Sequence, residues 1–136
     1  MLREYVAWIG HDLAFQEIEF EIETLPGYYD RPGGALLVAE DSHRLVGMIA
    51  LRALDQSACE LKRLFVRSHA RGHGLGKDLV LHILEEAQRL NYDEIRLDTL
   101  PMMGHAQSLY ASLGFEEIAP YYDTPIAGTR FMAKRL

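Results

Sequence analysis

The chain of 136 residues holds a single cysteine, Cys59. No intramolecular disulfide can form, and CxxC redox centres and cysteine-rich zinc sites are excluded. No apolar run approaches the ~20 residues that a membrane-spanning helix requires. The opening MLREYVAWIGHD places acids beside its short apolar stretch and lacks the layout of a signal peptide. Basic residues are also in deficit: 14 Lys and Arg stand against 20 Asp and Glu, a formal charge of −6. General nucleic-acid binders carry the opposite balance. What is present is ordinary for a soluble globular chain, with 49% hydrophobic and 25% charged residues. The length fits one domain, residues 1–136, with one substantial core. These features together predict a cytoplasmic, reduced, soluble protein.

The few basic residues are unevenly placed. Residues 62–77, KRLFVRSHARGHGLGK, hold Lys62, Arg63, Arg67, Arg71 and Lys77, together with His69 and His73, and no acid. An acidic chain with one basic, glycine-dense segment points to a local anion site, against the plainer reading of a solvated basic loop.

Apolar spacing predicts helix over residues 2–25, divided near Gly10, with Asp12 as a cap of the second piece. LPGYYDRPGG reads as a loop. ALLVAE (35–40), RLVGMIALRAL (44–54) and CELKRLFV (59–66) then read as an antiparallel meander of strands separated by short polar turns. The period next changes to 3.6: Leu75, Leu79, Ile83, Ala87 and Leu90 line one helix face, and Asn91 suits its stop. EIRLDTL (94–100) reads as a strand and His105 to Leu113 as a helix ending at Gly114. Phe115–Ile118 and Thr129–Lys134 read as closing strands. The class is α/β, with a mixed central sheet flanked by helices.

Arg71-Gly72-His73-Gly74-Leu75-Gly76 lies between a strand and an amphipathic helix. Glycines allow positive φ and close approach to main-chain N–H groups, and a helix N-terminus favours anions. A phosphate or pyrophosphate is the expected ligand, with Arg71 and Lys77 nearby. The P-loop spacing is not met, because three residues rather than four separate Gly72 from Gly76 and Asp78 follows Lys77. The dinucleotide spacing G-x-G-x-x-G also fails. Asp98, about twenty residues on, keeps a nicotinamide cofactor as a rival, although the preceding strand is third in a meander rather than first in a sheet.

Residues 64–76, LFVRSHARGHGLG, followed by residues 109–115, LYASLGF, resemble the GNAT family of N-acetyltransferases. The first stretch is similar to that family's acetyl-CoA motif and the second to its late helix ending in Leu-Tyr-x-x-x-Gly-Phe. The two occur in family order with a strand between them. The strong resemblance covers about residues 59–117. It implies an acyltransferase using acetyl-CoA as cosubstrate, without a metal. It also implies that main-chain N–H groups from Arg71 to Lys77, hence Arg71, Gly72, His73, Gly74, Leu75, Gly76 and Lys77, hold the pyrophosphate. The strand Leu64-Phe65-Val66 would pair its backbone with the pantetheine arm, and Tyr110 would lie near the thiol.

The chemistry asks for specific groups. An amine with a free pKa near ~10.4 must lose a proton before it attacks a thioester, and the departing thiolate needs a proton that a phenol can supply. Tyr110 is the candidate acid, against a plain packing role. Two carboxylates compete as base. Asp98 lies twelve residues before Tyr110, where some ribosomal-protein N-acetyltransferases of the family carry a Glu. Glu60 opens the strand into the loop and, by alternation, shares a face with Lys62, Leu64 and Val66. Either carboxylate could instead be a strand-end salt-bridge partner, and the proton could instead pass to solvent. His69 and His73 lie on a glycine loop, not one helical face, so they form no metal site. Cys59 reads as a small strand residue rather than a nucleophile. Trp8, Tyr28, Tyr29, Tyr121 and Tyr122 are candidates to shape an acceptor pocket, and Asp30, Glu40 and Asp123 to attract a cationic one.

Two departures from the family pattern stand out. Met103 occupies the position, seven before the tyrosine, where members often carry a CoA-contacting Asn. The strand that normally opens the fold is missing before the first helix, which leaves an edge for a partner, a homodimer mate included, to cover. The reading that follows is transfer of acetyl from acetyl-CoA to a primary amine of a small-molecule or protein acceptor, with no nucleic acid and no membrane involved. The alternative is a non-catalytic acyl-CoA-binding or regulatory module of the same fold.

Overall fold

Alternating apolar residues between Ala35 and Val66 pair into three antiparallel strands in the computed structural model, which describes residues 1–9, 22, 25, 29 and 33–136. They are β1 (Ala35–Asp41), β2 (Arg44–Ala53) and β3 (Ala58–Val66). Ser42 and His43 turn the first hairpin with φ of 49° and 68°, the double positive φ of a turn that matches strand twist. The second turn is built by Asp55, whose Oδ1 accepts hydrogen bonds from the N–H groups of Ser57 (2.8 Å) and Ala58 (2.7 Å). Those bonds lower the Asp55 carboxyl pKa.

After β3 come one turn of 3-10 helix (Ser68–Ala70), α2 (Leu75–Arg89), β4 (Glu94–Thr99), α3 (Gly104–Ser112), β5 (Glu116–Ile118) and β6 (Arg130–Arg135); α1 (Leu2–Ile9) precedes the sheet. The six strands lie in the order β1-β2-β3-β4-β6-β5. Every neighbouring pair is antiparallel except β3 with β4. The second predicted helix, with Gly10 and Asp12, lies outside the described residues, as does most of the 25–34 loop. Among the described residues no strand precedes Ala35. β1 therefore stands at the sheet edge with Val38 53% exposed.

The predicted apolar face of α2 covers one side of the sheet: Leu79, Val80, Ile83 and Ala87 pack with Ile49, Leu51, Leu61, Ile95 and Leu97. Asn91, at φ 65°, stops the helix. Its N–H donates to the Gln88 carbonyl and that of Tyr92 to the Ala87 carbonyl, the paired bonds of a left-handed C-terminal cap. α3 ends the same way. Gly114 (φ 94°) donates to the Ala111 carbonyl, and Phe115 donates to the Tyr110 carbonyl. A Cβ at Gly114 would also lie 2.8 Å from Lys134 Nζ. In such a cap the second residue past the helix packs on the last turn, and the Phe115 ring lies 5.5 Å from that of Tyr110. The Leu-Tyr-x-x-x-Gly-Phe pattern is thus a helix stop that pins the tyrosine.

Candidate active site

β3 and β4 pair only over Ala58–Glu94, Cys59–Ile95 and Glu60–Arg96. Beyond Glu60 they diverge, and the β3 edge that faces β4 is left without ladder bonds to it. A cavity of about 560 Å³ opens at this split. Its wall takes Leu61, Leu64, Val66, Leu75, Leu109 and Tyr110 from the core under α2. It takes Tyr5, Phe65, Leu100 and Met103 from a second cluster on the opposite face. The cavity therefore runs through the sheet, so two reactants can meet in it from opposite sides.

A bulge in β3 sets the facing of these side chains. Met48 pairs with Phe65 and Ala50 with Lys62, so Arg63 and Leu64 together oppose Ile49. Arg63 adopts φ 61°, and alternation slips by one residue there. The expectation that Glu60 shares a face with Leu64 and Val66 is corrected accordingly. Leu64 and Val66 pack with the cluster of Cys59 and Leu61, and Phe65 turns to the other side.

α1 closes that other side. Glu4 forms a two-pronged ion pair with Arg67 (3.0 and 2.7 Å), while Arg67 also donates to the Leu45 carbonyl at 2.6 Å. This fixes Tyr5 edge-on to Phe65 with ring centroids 6.1 Å apart and places the Arg63 guanidinium 5.6 Å from the Tyr5 ring centroid.

At the other mouth, Gly72 and Gly74 hold φ of 85° and 79°. Gly74 caps α2 without any side-chain bond to the helix. The first-turn N–H groups are thus left for a ligand. Of the loop residues singled out from sequence, Arg71, Gly72, Gly74, Leu75 and Gly76 line the cavity. His73 and Lys77 do not, and both are exposed. Arg71 Nε donates to the Val66 carbonyl at 2.7 Å, and its guanidinium lies over Phe65 at 5.6 Å.

Tyr110 and Asp98 both line the cavity. Tyr110 is 4% exposed, and its hydroxyl makes no hydrogen bond among the described residues. Burial raises the phenol pKa, with Tyr5 and Asp98 adding to the shift. Asp98 Oδ2 accepts a hydrogen bond from Tyr122. The rings of Tyr121, Tyr122 and Phe131 stack edge-on, with centroids 5.2–5.6 Å apart.

Glu60 is placed elsewhere. It is 1% exposed and absent from the cavity wall. Arg52 Nε donates to its Oε1 at 2.7 Å, and Tyr121 donates to its Oε2 at 2.5 Å. A carboxylate held in this way supports the floor of the site. Tyr121 and Tyr122 stand behind the two carboxylates rather than on the wall. Glu40 and Asp123 are exposed away from the cavity, and the Trp8 side chain, Tyr28 and Asp30 lie outside the described residues. Tyr29 is buried and off the wall. Met103 does line the cavity.

Lys62, Arg63 and Tyr5 are wall residues that the sequence reading did not single out as such. For Lys62 and Arg63 the basic run was the available signal. Nothing in it marks the bulge that directs them.

Cys59 is fully buried, and burial pushes its thiol up to about 12. It stays protonated at neutral pH and lies 3.6 Å from the Glu94 carbonyl. Cys59→Ala is expected to keep turnover within about twofold of the parent and to leave no acetyl-cysteine detectable by mass spectrometry. A covalent acetyl on the parent protein lost in this variant would show a two-step reaction instead. Among the described residues no group of three or more His, Cys, Asp or Glu could hold a metal ion, and no helix is long and apolar enough to cross a membrane.

Comparison with known proteins agrees with this arrangement. The family model described as an acetyltransferase (GNAT) domain matches residues 32–117. An uncharacterized N-acetyltransferase of Schizosaccharomyces pombe is 37% identical over 97% of this chain and 82% of its own. N-acetylaspartate synthetase of Danio rerio is 34% identical over 85% of this chain, which spans 42% of that protein. A GNAT-family acetyltransferase from Staphylococcus aureus superimposes with TM-score 0.82 at 27% identity, over 98% of this chain and 90% of that one. One from Elizabethkingia anophelis, with acetyl-CoA bound, superimposes with TM-score 0.65 at 19% identity, over 76% and 77%. A family match over more than half the chain, joined to a relative aligned along nearly all of it, makes this protein a member of the GNAT family and an acyltransferase.

Proposed function

We propose that the protein transfers the acetyl group of acetyl-CoA directly to a primary amine. The observation that carries the reading is Tyr110 on the wall of a split-sheet cavity, its ring packed in the core and its hydroxyl bonded to no other described residue. A phenol whose ring is fixed by packing and whose hydroxyl is left to the cavity is available to a reactant. The glycine loop and the first turn of α2 receive the pyrophosphate of the cosubstrate. The unpaired edge of β3 beyond Glu60 offers main-chain donors and acceptors to the pantetheine arm and a donor to the thioester oxygen. The amine enters from the α1 face and gives a proton to Asp98, directly or through water. Nitrogen attacks the thioester carbon, the C–N bond forms, the C–S bond breaks, Tyr110 protonates the departing sulfur, and the second proton of the nitrogen returns to the Tyr110 phenolate, directly or through water.

Calorimetric titration with acetyl-CoA, with NAD as control, is the test. Acetyl-CoA is expected to bind at micromolar concentration and NAD not at all. Binding of NAD alone would overturn the reading. With an amine acceptor present, thiol release should follow. Asp98→Asn should slow it about tenfold, below the usual 10²- to 10⁴-fold for loss of a general base, because water can take the proton. Unchanged turnover in that variant would assign the base elsewhere.

A further inference from the structure

Lys62 is a cation in an unusual place. It lines the cavity, is only 9% exposed, and its ammonium makes no hydrogen bond among the described residues. The nearest carboxylate oxygen, Glu60 Oε1, lies 3.9 Å away, beyond hydrogen-bond reach, and already accepts from Arg52 at 2.7 Å. The other Glu60 oxygen accepts from Tyr121. A buried ammonium is costly unless it is paired, and the partner it has is shared with a second cation. Burial accordingly lowers the Lys62 pKa, helped by Arg63 and opposed by Asp98 and Glu60.

Lys62 follows Leu61, which faces α2, so its side chain lies on the opposite face of the sheet, the one closed by α1. Among the described residues of the cavity wall, the carboxylate of Asp98 lies on that same side. Arg71 belongs to the glycine-loop mouth. The acceptor end thus sets Lys62, whose carboxylate partner is shared with Arg52, beside the carboxylate of Asp98. A polycationic acceptor would bring further positive charge against Lys62. An acceptor with one amine and one anionic group satisfies both signs.

Resting on the acetyltransferase reading, we propose that the acceptor is a small amino-carboxylate, such as a free amino acid, whose carboxylate pairs with Lys62 while its amino group lies against Asp98. Asp98 is held for that task by Tyr122. The Lys62 ammonium supplies up to three donors to a carboxylate and gains the close counter-charge that Glu60 does not provide.

The experiment follows thiol release from acetyl-CoA with a panel of L-amino acids, each paired with its α-carboxamide, and with spermidine. At least one amino acid is expected to exceed its own amide by tenfold or more in kcat/KM, chiefly through KM. Lys62→Met, which keeps the length of the side chain, should bring the acid-to-amide ratio toward one. Lys62→Arg should restore part of it. Amides or spermidine used as well as the acids would overturn the proposal, as would a ratio unchanged in Lys62→Met. So would acetyl-CoA binding with no turnover of any amino acid in the panel. Calorimetry with acetyl-CoA on the same samples separates the two readings. Absence of binding removes the acetyltransferase itself, whereas binding without acid preference removes only the assignment of the acceptor.

Discussion

Tyr110→Phe is expected to lower kcat by about 10²- to 10³-fold while leaving the acetyl-CoA dissociation constant within about twofold. The substitution removes one oxygen and keeps the ring. The ring is what packs: Tyr110 belongs to the main core and lies against Phe115. Its hydroxyl pairs with no other described residue, so no protein bond is known to be lost. Folding stability should hold, because the ring that packs in the core is kept. A slow enzyme with an unchanged Tm is therefore the signature.

The size of the effect follows from proton transfer. A thiolate comparable to that of cysteine has a pKa near ~8.5, and an ordinary phenol lies near ~10. Burial raises the Tyr110 pKa further, so the phenol is fully protonated across neutral and mildly alkaline pH. In the proposed reaction it gives up its proton only as charge builds on sulfur. Two pH consequences can be separated. The activity should rise with pH as the acceptor amine deprotonates, with no loss from ionisation of Tyr110 below pH ~10. The stability term has the opposite slope. Above pH ~10 the unfolded chain releases this proton and the folded one retains it, so folding stability falls as pH increases. If Tyr110→Phe turns over as fast as the parent, solvent protonates the thiolate and the tyrosine is only a core aromatic.

How much of this could be read without coordinates depends on the range of the forces involved. The cap at Gly114 and the stop at Asn91 are local, made by bonds between residues at most five apart, and both were legible. The α2 face was legible because 3.6-residue spacing is itself the packing surface. The facing of β3 was not. A strand reads as alternation only while its register is unbroken, and the bulge at Arg63 places positive φ on a residue with no glycine to announce it. From that point Glu60 and Lys62 part company with Leu64 and Val66. The separation of Asp98 from Glu60 was equally hidden. Both are strand carboxylates, and only the tertiary positions of Arg52, Tyr121 and Tyr122 place one in the floor and the other on the wall. The meeting of α1 with the end of β3 depends on an ion pair between residues 63 apart, Glu4 and Arg67, which no sequence window contains.

The glycine loop carries the second large effect. Gly74→Val is expected to weaken acetyl-CoA binding by about 10- to 100-fold, the loss of one or two hydrogen bonds to a charged group at about 1.5–3 kcal/mol each. A Cβ at Gly72 or Gly74 meets nothing within 4 Å, so no clash inside the protein accounts for the change. The cost is conformational. With φ of 79°, Gly74 is left-handed, a region that costs an ordinary L-residue about 1–2 kcal/mol and a β-branched one more. The strain is relieved when the loop relaxes, and the N–H groups of Leu75 and Gly76 then turn from the phosphate. This spares the split between β3 and β4, which is set by the bulge and by the ending of their ladder at Glu60 and Arg96. S-acetylpantetheine, which has the thioester arm but no pyrophosphate, separates the contributions. Its kcat/KM should fall far less in Gly74→Val than that of acetyl-CoA. An equal fall with both donors would mean that the loop acts on the reacting end of the cavity, and that the phosphate is held elsewhere.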